Sequence, residues 1–334
     1  MKDIEYIDLR GKSPVDLVRQ DPDKVAALIK SVCGIAGIAS RLGSKAAFPI
    51  SDKVSENWLI KTNNPYLNEI AQCADLLKMR GVYTLNLSYE WGCTTTVKNT
   101  ANGPVMTRVL DWPFPNMDQD MIVAHQNGPA GDYYNVTWPG LTGTFNAIAP
   151  KRFSAAINQA PMKRHHLTFL GDWAKNRFKF NKETGLPPAH LLRKVMEEAT
   201  DYAQAKQMLR DTPISLPVIY TLAGTKENEG CVIERLENSA QVHEMKNGSV
   251  CAANHWRSDI GKGSKWRPRR SCSFSRADAG DKITAADIDG KFSWFKDPIA
   301  NKFSSLVMSA TPSTGRFNLA GANGHKMTTK IFKR

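Results

Sequence analysis

The sequence predicts an α+β protein. Apolar residues recur at helical spacing before residue 80 and again near residue 190, short strand-like segments follow one another from residue 93 to residue 158, and more strands return after residue 217. Runs of strands interrupted by a helix pair build stacked antiparallel layers rather than alternating βα units. At 334 residues, with 41% hydrophobic and 23% charged side chains, the chain has a globular composition and enough apolar mass for one large core or two modest ones.

The elements follow in order. Val15, Leu17, Val18, Val25, Leu28 and Ile29 predict helix over 14–46, with small residues from Cys33 to Ala39 permitting close helix packing. Asn64-Pro65 reads as a cap and first-turn proline opening a helix through Leu77. Residues 82–89 read as a strand running into Cys93, with Leu85 to Leu87 buried, so residues 1–92 form a mostly helical segment. Strands are expected at 93–99, 104–111, 120–126, 133–138, 144–149 and 153–158, punctuated at Gly140, Gly143 and Asn146. Residues 163–187 are basic and aromatic without a clean period and read as a loop or lid. A helix pair, 187–199 and 202–209, precedes strands at 217–223, 230–236, 249–253 and 304–309, and the tail ends in a Gly/Asn-rich stretch.

Composition narrows the function classes. The net charge of +13 favours acidic partners such as an anionic membrane surface. Its clustered part, Lys262 to Arg270, holds one tryptophan and no base-stacking platform, which argues against a nucleic-acid-binding protein, the non-enzymatic alternative. The six cysteines form no C-x-x-C pair and no disulfide framework, and the adjacent His165-His166 point to opposite faces of a strand, so neither metal nor other cofactor is expected. The N-terminus is charged and lacks an apolar signal core, and the stretch from Val25 to Ala39 is too short and too polar to span a membrane. As it stands, the sequence reads as cytoplasmic.

The chemistry centres on Cys93. It stands where an apolar segment pauses at Gly92 and a Thr/Val strand begins, and Asn102-Gly103 then turns the chain into a return strand carrying Arg108 and Asp111. A two-residue turn on Asn102-Gly103 would place Ala101 opposite Pro104, Val97 opposite Arg108 and Cys93 opposite Trp112. Strand alternation then puts Arg108 on the thiol's face; Asp111 has the wrong parity and reaches the cysteine only if the strand bends. This pattern suits an N-terminal nucleophile, a cysteine made chain-terminal by scission after Gly92, with its own α-amine as base. Asn254, at the end of the strand from Ser249 to Ala253, is positioned either to donate its amide to an oxyanion or to cap a turn. The neighbouring His255 reads as structural.

Together these residues resemble the cholylglycine hydrolase-like group of N-terminal nucleophile amidases, and within it the acid ceramidase and N-acylethanolamine acid amidase branch. The resemblance rests on Tyr89-Glu90 before the nucleophile, Cys93-Thr94, Arg108, Asp111-Trp112, Leu141-Thr142-Gly143, Ile157-Asn158-Gln159, Ala253-Asn254-His255-Trp256 and Arg269-Arg270. It spans about residues 15 to 315 and implies a four-layer αββα sandwich with a helical N-terminal segment. It further implies self-cleavage between Gly92 and Cys93 into fragments 1–92 and 93–334 that stay associated, and hydrolysis of an N-acyl, fatty-acyl-like amide through a Cys93 thioester. By the same resemblance Asp111 holds the amine, Arg108 lowers the thiol pKa, Asn254 and the Gln159 backbone N–H stabilise the oxyanion, and Arg269 or its neighbour Arg270 supports the site electrostatically. The family often has Glu where Gln159 stands, and acidic residues where Arg267-Pro268 precede the paired arginines. Leu167, Phe169, Leu170, Trp173, Phe178 and Phe180 would line the acyl entrance. An acyltransferase of the penicillin side-chain type and a bile-salt-like amidase are the alternatives within this chemistry.

Overall fold

The computed structural model describes all residues except 36–46, 88–91, 113, 166–167, 181, 261, 263–264 and 268–271. In chain order the elements are β1 (Glu5–Asp8), α1 (Val15–Gln20), α2 (Pro22–Ile35), α3 (Ala47–Lys61), α4 (Leu67–Leu77), α5 (Val82–Asn86), β2 (Gly92–Thr100), β3 (Gly103–Asp111), β4 (Ile122–Gly128), β5 (Gly131–Thr137), β6 (Asn146–Ala149), β7 (Phe153–Gln159) and β8 (Met162–Lys163). There follow α6 (Phe169–Phe180), α7 (Pro188–Glu198), α8 (Tyr202–Asp211), β9 (Val218–Ala223), β10 (Gly230–Leu236), β11 (Ser239–Glu244), β12 (Ser249–Ala252), β13 (Trp266–Arg267), α9 (Ser273–Asp281), β14 (Ser304–Thr311), β15 (Arg316–Asn323), β16 (Lys326–Met327) and β17 (Phe332–Lys333).

Among the described residues the strands form two large sheets. One runs β1-β4-β5-β6-β7-β9-β10-β11, and the other runs β12-β2-β3-β14-β15-β16 with β17 also on β15. Strands β2 and β3 of the second sheet touch β7 and β9 of the first, so the sheets stack face to face. Helices α7 and α8 pack on the first sheet and α9 on β2 and β12 of the second. This is the expected four-layer sandwich.

Local chemistry explains most boundaries. Pro187 and Pro188 open α7, where a missing N–H is harmless. The Asp201 carboxylate accepts the Gln204 N–H and caps α8. Helix α9 presents Ser273, Arg276, Ala277 and Gly280 to the sheet, a helical face made of small and polar residues. A Cβ on Gly280 would lie 2.5 Å from Cys251 Sγ and 2.7 Å from Thr96 Oγ1, so only glycine lets α9 approach this closely.

Four expectations need correction. Residues 82–86 are helix α5, not strand; Leu85 and Leu87 are buried as expected, but beside Val82, Trp138 and Leu141 in the shared core. Residues 169–180, expected as loop, form α6, and Phe180 packs on Trp58 with ring centroids 4.2 Å apart; Leu167 and the side chains of Phe169, Leu170, Trp173 and Phe178 lie outside the described ones. The segment after Thr314 is the paired strand β15, and β1, β11, α3 and α9 add elements without strong periodic patterns. The β2–β3 register also differs: Thr100 pairs with Gly103, Thr95 with Arg108 and Cys93 with Leu110. Of the two turn residues only Gly103 takes a positive φ, so Ala101-Asn102 form the loop and the ladder shifts by two residues, which preserves every side chain's face.

Buried polar contacts join the N-terminal helices to the rest of the chain. Arg193 on α7 donates to both oxygens of Glu69 on α4, Tyr66 Oη donates to Glu197, and Asn86 Oδ1 accepts from the N–H and hydroxyl of Thr142. His190 is fully buried, with Nδ1 3.0 Å from Asn64 Nδ2, so Nδ1 is the acceptor and the ring is neutral. Among the described residues no helix is long and apolar enough to cross a membrane.

Burial pushes His190 down to about 3 from an ordinary 6.5. The unfolded chain therefore takes up this proton first, and the stabilisation is complete above the ordinary value and lost as the pH falls toward the depressed one. Urea unfolding should show stability dropping by up to about 1.4 kcal/mol per pH unit below about pH 6.5, with His190→Gln flattening the slope. Equal slopes in both proteins would remove His190 as its source.

Candidate active site

Cys93 is the second residue of β2 and is fully buried, with its thiol in the space between the sheets. Alternation along β2 sends consecutive threonines to opposite faces, and each holds an arginine. Thr95 Oγ1, on the thiol's face, accepts from Arg108 Nη1 at 2.8 Å. Thr94 Oγ1, on the α9 face, accepts from Arg276 Nη1 at 2.7 Å.

Arg108 has no exposed surface and uses all five donors. Nε donates to Asn146 Oδ1 at 2.8 Å, Nη1 to Thr95 Oγ1 and Asn158 Oδ1, and Nη2 to the Ile157 carbonyl at 2.6 Å and to Cys93 Sγ at 3.0 Å. Burial pulls the Arg108 pKa down and pushes the Cys93 thiol up. Opposing the thiol's rise are the charges of Arg108 and Arg276 and a hydrogen bond from the Gln159 backbone N–H, all of which favour thiolate.

The Cys93 nitrogen has its own setting. Its N–H donates to Asn254 Oδ1 at 2.8 Å, while Asn254 Nδ2 donates to the Gln159 carbonyl at 2.9 Å. One N–H of that amide thus remains for another acceptor. Asn254 is locked further by Arg276 Nη2 on Oδ1 at 2.7 Å and by Ser273 Oγ, which accepts its backbone N–H.

Asp111 pairs with Gly92, one residue before the nucleophile. It sits on the opposite sheet face from the thiol, where β14 bulges between Ser304 and Leu306. Ser304 Oγ donates to Asp111 Oδ1 at 2.9 Å; Oδ2 accepts no hydrogen bond and lies 3.5 Å from Arg276 Nη1. A Cβ on residue 92 would fall 3.1 Å from Asp111 Oδ2, a tight contact, so the carboxylate packs closely beside Gly92.

The structure thus gathers Cys93, Arg108, Asp111, Gln159 and Asn254. Arg269 and Arg270 lie outside the described residues, as do Tyr89 and Glu90. A different arginine, Arg276, reaches the residues around Cys93 from α9. It is fully buried on α9 and also donates to the Cys93 carbonyl. The sequence signal for it was the i, i+3, i+4, i+7 spacing of Ser273, Arg276, Ala277 and Gly280, which an apolar search passes over. Asn146, Asn158, Thr95 and Ser304 were likewise missed, because nothing in an isolated polar strand residue says what it faces. His255 stacks on Phe274 at 4.0 Å and shares Ser273 Oγ, a structural placement. Cys73, Cys231 and Cys251 are buried free thiols and Cys272 is exposed. Among the described residues no group of His, Cys, Asp and Glu side chains is arranged to hold a metal ion.

Removing Arg276 leaves Asp111 Oδ2, the Cys93 carbonyl and Asn254 Oδ1 short of a buried cation. Arg276→Met should destabilise the fold by about 3–5 kcal/mol in urea unfolding, and Arg276→Lys by less because charge is kept while the fork is lost. A loss under about 1 kcal/mol for the methionine variant would mean that the pair contributes little.

Residues 93–282, more than half of the chain and starting at Cys93, match the family described as linear amide C-N hydrolases, choloylglycine hydrolase family. Similar curated proteins include the N-acylethanolamine-hydrolyzing acid amidase of Rattus norvegicus, 28% identical over 230 residues that make up 66% of this chain and 59% of that protein. Acid ceramidase of Heterocephalus glaber is 26% identical over 248 residues, 66% of this chain and 62% of that one. The chain spans about half to three-fifths of the length of the curated relatives it matches. The solved Caenorhabditis elegans ortholog of N-acylethanolamine-hydrolyzing acid amidase superposes with a TM-score of 0.52 at 19% identity, over 66% of this chain and 93% of that one, a likeness of fold. With a family match that opens on the buried cysteine and a fold to accord with it, the chain belongs to the choloylglycine hydrolase family of linear amide C–N hydrolases.

Proposed function

We propose that this protein is a self-processed cysteine amidase acting on N-acyl, lipid-like amides. The observation that carries the reading is the pairing at one residue of a thiol 3.0 Å from Arg108 Nη2 with a nitrogen 2.8 Å from Asn254 Oδ1. A nucleophile and its base are then the two ends of Cys93 itself.

In the uncut chain the Cys93 thiol adds to the Gly92 carbonyl. The C–N bond breaks, residues 1–92 are held as a thioester, and water releases them as a carboxylate. Cys93 has no exposed surface in the uncut chain, so external substrate gains access only after this step. The freed α-amine keeps its contact with Asn254 Oδ1, and the carboxylate of Asp111, which lies beside Gly92, favours the protonated amine once it has taken the thiol's proton. The thiolate, favoured by Arg108, attacks the substrate carbonyl; the remaining Asn254 N–H and the Gln159 backbone N–H are the donors for the oxyanion. The ammonium returns its proton to the leaving amine, and water then cleaves the thioester. Arg276 takes the supporting role and fixes the Cys93 carbonyl and Asn254.

The lipid-like acyl group is inferred from relatives whose names give N-acylethanolamines and ceramide as substrates. A net charge of +13 suits adsorption to an anionic lipid surface. The two fragments are expected to stay together through Arg193–Glu69, Asn86–Thr142 and the shared apolar core.

Intact mass under denaturing conditions tests the core of the reading. Two fragments dividing at Gly92/Cys93 are expected, with none in Cys93→Ala; an uncut wild-type chain from acid to neutral pH would sink the proposal. In processed enzyme, Asn254→Ala should lower hydrolysis of a fluorogenic dodecanoyl amide by about 10²–10³-fold. Added acceptor amine that diverts the acyl group from water would recast the protein as an acyltransferase.

A further inference from the structure

The side chain of Asn158 joins the two arms of the site. It is fully buried on β7, and its carboxamide is saturated. Oδ1 accepts from Arg108 Nη1 and, at 2.7 Å, from Thr95 Oγ1; Nδ2 donates at 3.0 Å to each of the Ala252 and Ala253 carbonyls. With both lone pairs and both N–H groups engaged, the amide has one orientation. One end therefore holds the guanidinium that touches the thiol, and the other holds the two residues immediately before Asn254, which holds the Cys93 nitrogen.

The neighbours of Asn158 serve the same centre through their backbone. The Ile157 carbonyl receives Arg108 Nη2, the Gln159 carbonyl receives Asn254 Nδ2, and the Gln159 N–H reaches the thiol. Three consecutive residues of one sheet thus set the geometry of a nucleophile carried by the other.

Resting on the amidase reading above, the geometry points to Asn158 as a positioning residue that keeps Arg108 against the thiol and Asn254 against the nucleophile's nitrogen, so that both ends of Cys93 stay in register. Without its Oδ1, Arg108 Nη1 loses one of two acceptors and the guanidinium is held less firmly against Sγ. Without its Nδ2, the Ala252 and Ala253 carbonyls lose their donor and Asn254 is no longer tied to Arg108. Among the described residues, the ionisable groups acting on Cys93 are Arg108 and Asp111 from β3 and Arg276 from α9. Asn158 carries no charge, so it can affect the thiol's titration only by moving these.

The experiment follows cleavage after a pH jump. Wild type, Asn158→Ala, the near-isosteric Asn158→Asp and Cys93→Ala are translated in a cell-free system with labelled methionine and shifted to buffers from acid to alkaline pH. Fragment appearance is timed by gel, and folding is checked by limited proteolysis. Folded Asn158 variants should cleave about 10²-fold more slowly near neutrality. The rising limb of rate against pH should move upward by about one unit or more, further for the aspartate, whose charge draws Arg108 away and opposes thiolate. A merely structural role would lower the folded fraction and leave that limb in place. Folded variants that keep the wild-type limb therefore overturn the proposal while leaving the amidase reading intact, because wild type still cleaves and Cys93→Ala does not. Wild type that never cleaves removes the reaction Asn158 would serve, and both readings fall together.

Discussion

Arg108 places a full positive charge between two sheets, where water cannot solvate it. All five N–H donors are matched by acceptors, four of them uncharged oxygens and the fifth the sulfur of Cys93. Hydrogen bonds to neutral oxygens orient a guanidinium but do not neutralise it. The site therefore favours negative charge nearby, and the group in contact able to supply it is the thiol. Much of the surrounding polar structure, from Thr95 and Asn146 to Asn158, keeps that cation at one spot.

A second arginine works on the other face of the same strand. Arg276 binds the Cys93 carbonyl, Thr94 and Asn254 and faces Asp111 Oδ2. The period of two along a strand separates the two arginines: Thr95 reads one side of β2 and Thr94 the other. The cysteine thus has its sulfur in one electrostatic setting and its backbone in another, which suits a residue whose thiol and nitrogen have different tasks. The approach of α9 that delivers Arg276 depends on Gly280, and Asp111 packs closely beside Gly92.

Much of the sheet architecture was legible in the sequence because alternation and turn residues are local signals. Strands from β2 to β7 fall close to where the pattern puts them, as do α7 and α8. The face shared by Cys93 and Arg108 was legible too, since a two-residue slip in register does not change parity. Residues 82–86 misled because a short apolar run fits a buried helix as well as a buried strand, and packing against Gly140 and against α2, α3 and α4 decides between them. Helix α6 was missed because its aromatic and basic residues have no clear apolar period.

The sequence by itself determined which cysteine is the candidate nucleophile, the cation on its face and the kind of layered fold that carries them, since each follows from residue type and short-range spacing. Only the tertiary structure decided how Asp111 is reached, that Arg276 enters from α9, and that Asn158 and Asn254 span the two sheets. The physical reason is distance along the chain. A β-bulge in a strand nearly 200 residues away bends around Asp111, and contacts between β7 and the end of β12 depend on how two sheets stack, which no local pattern encodes.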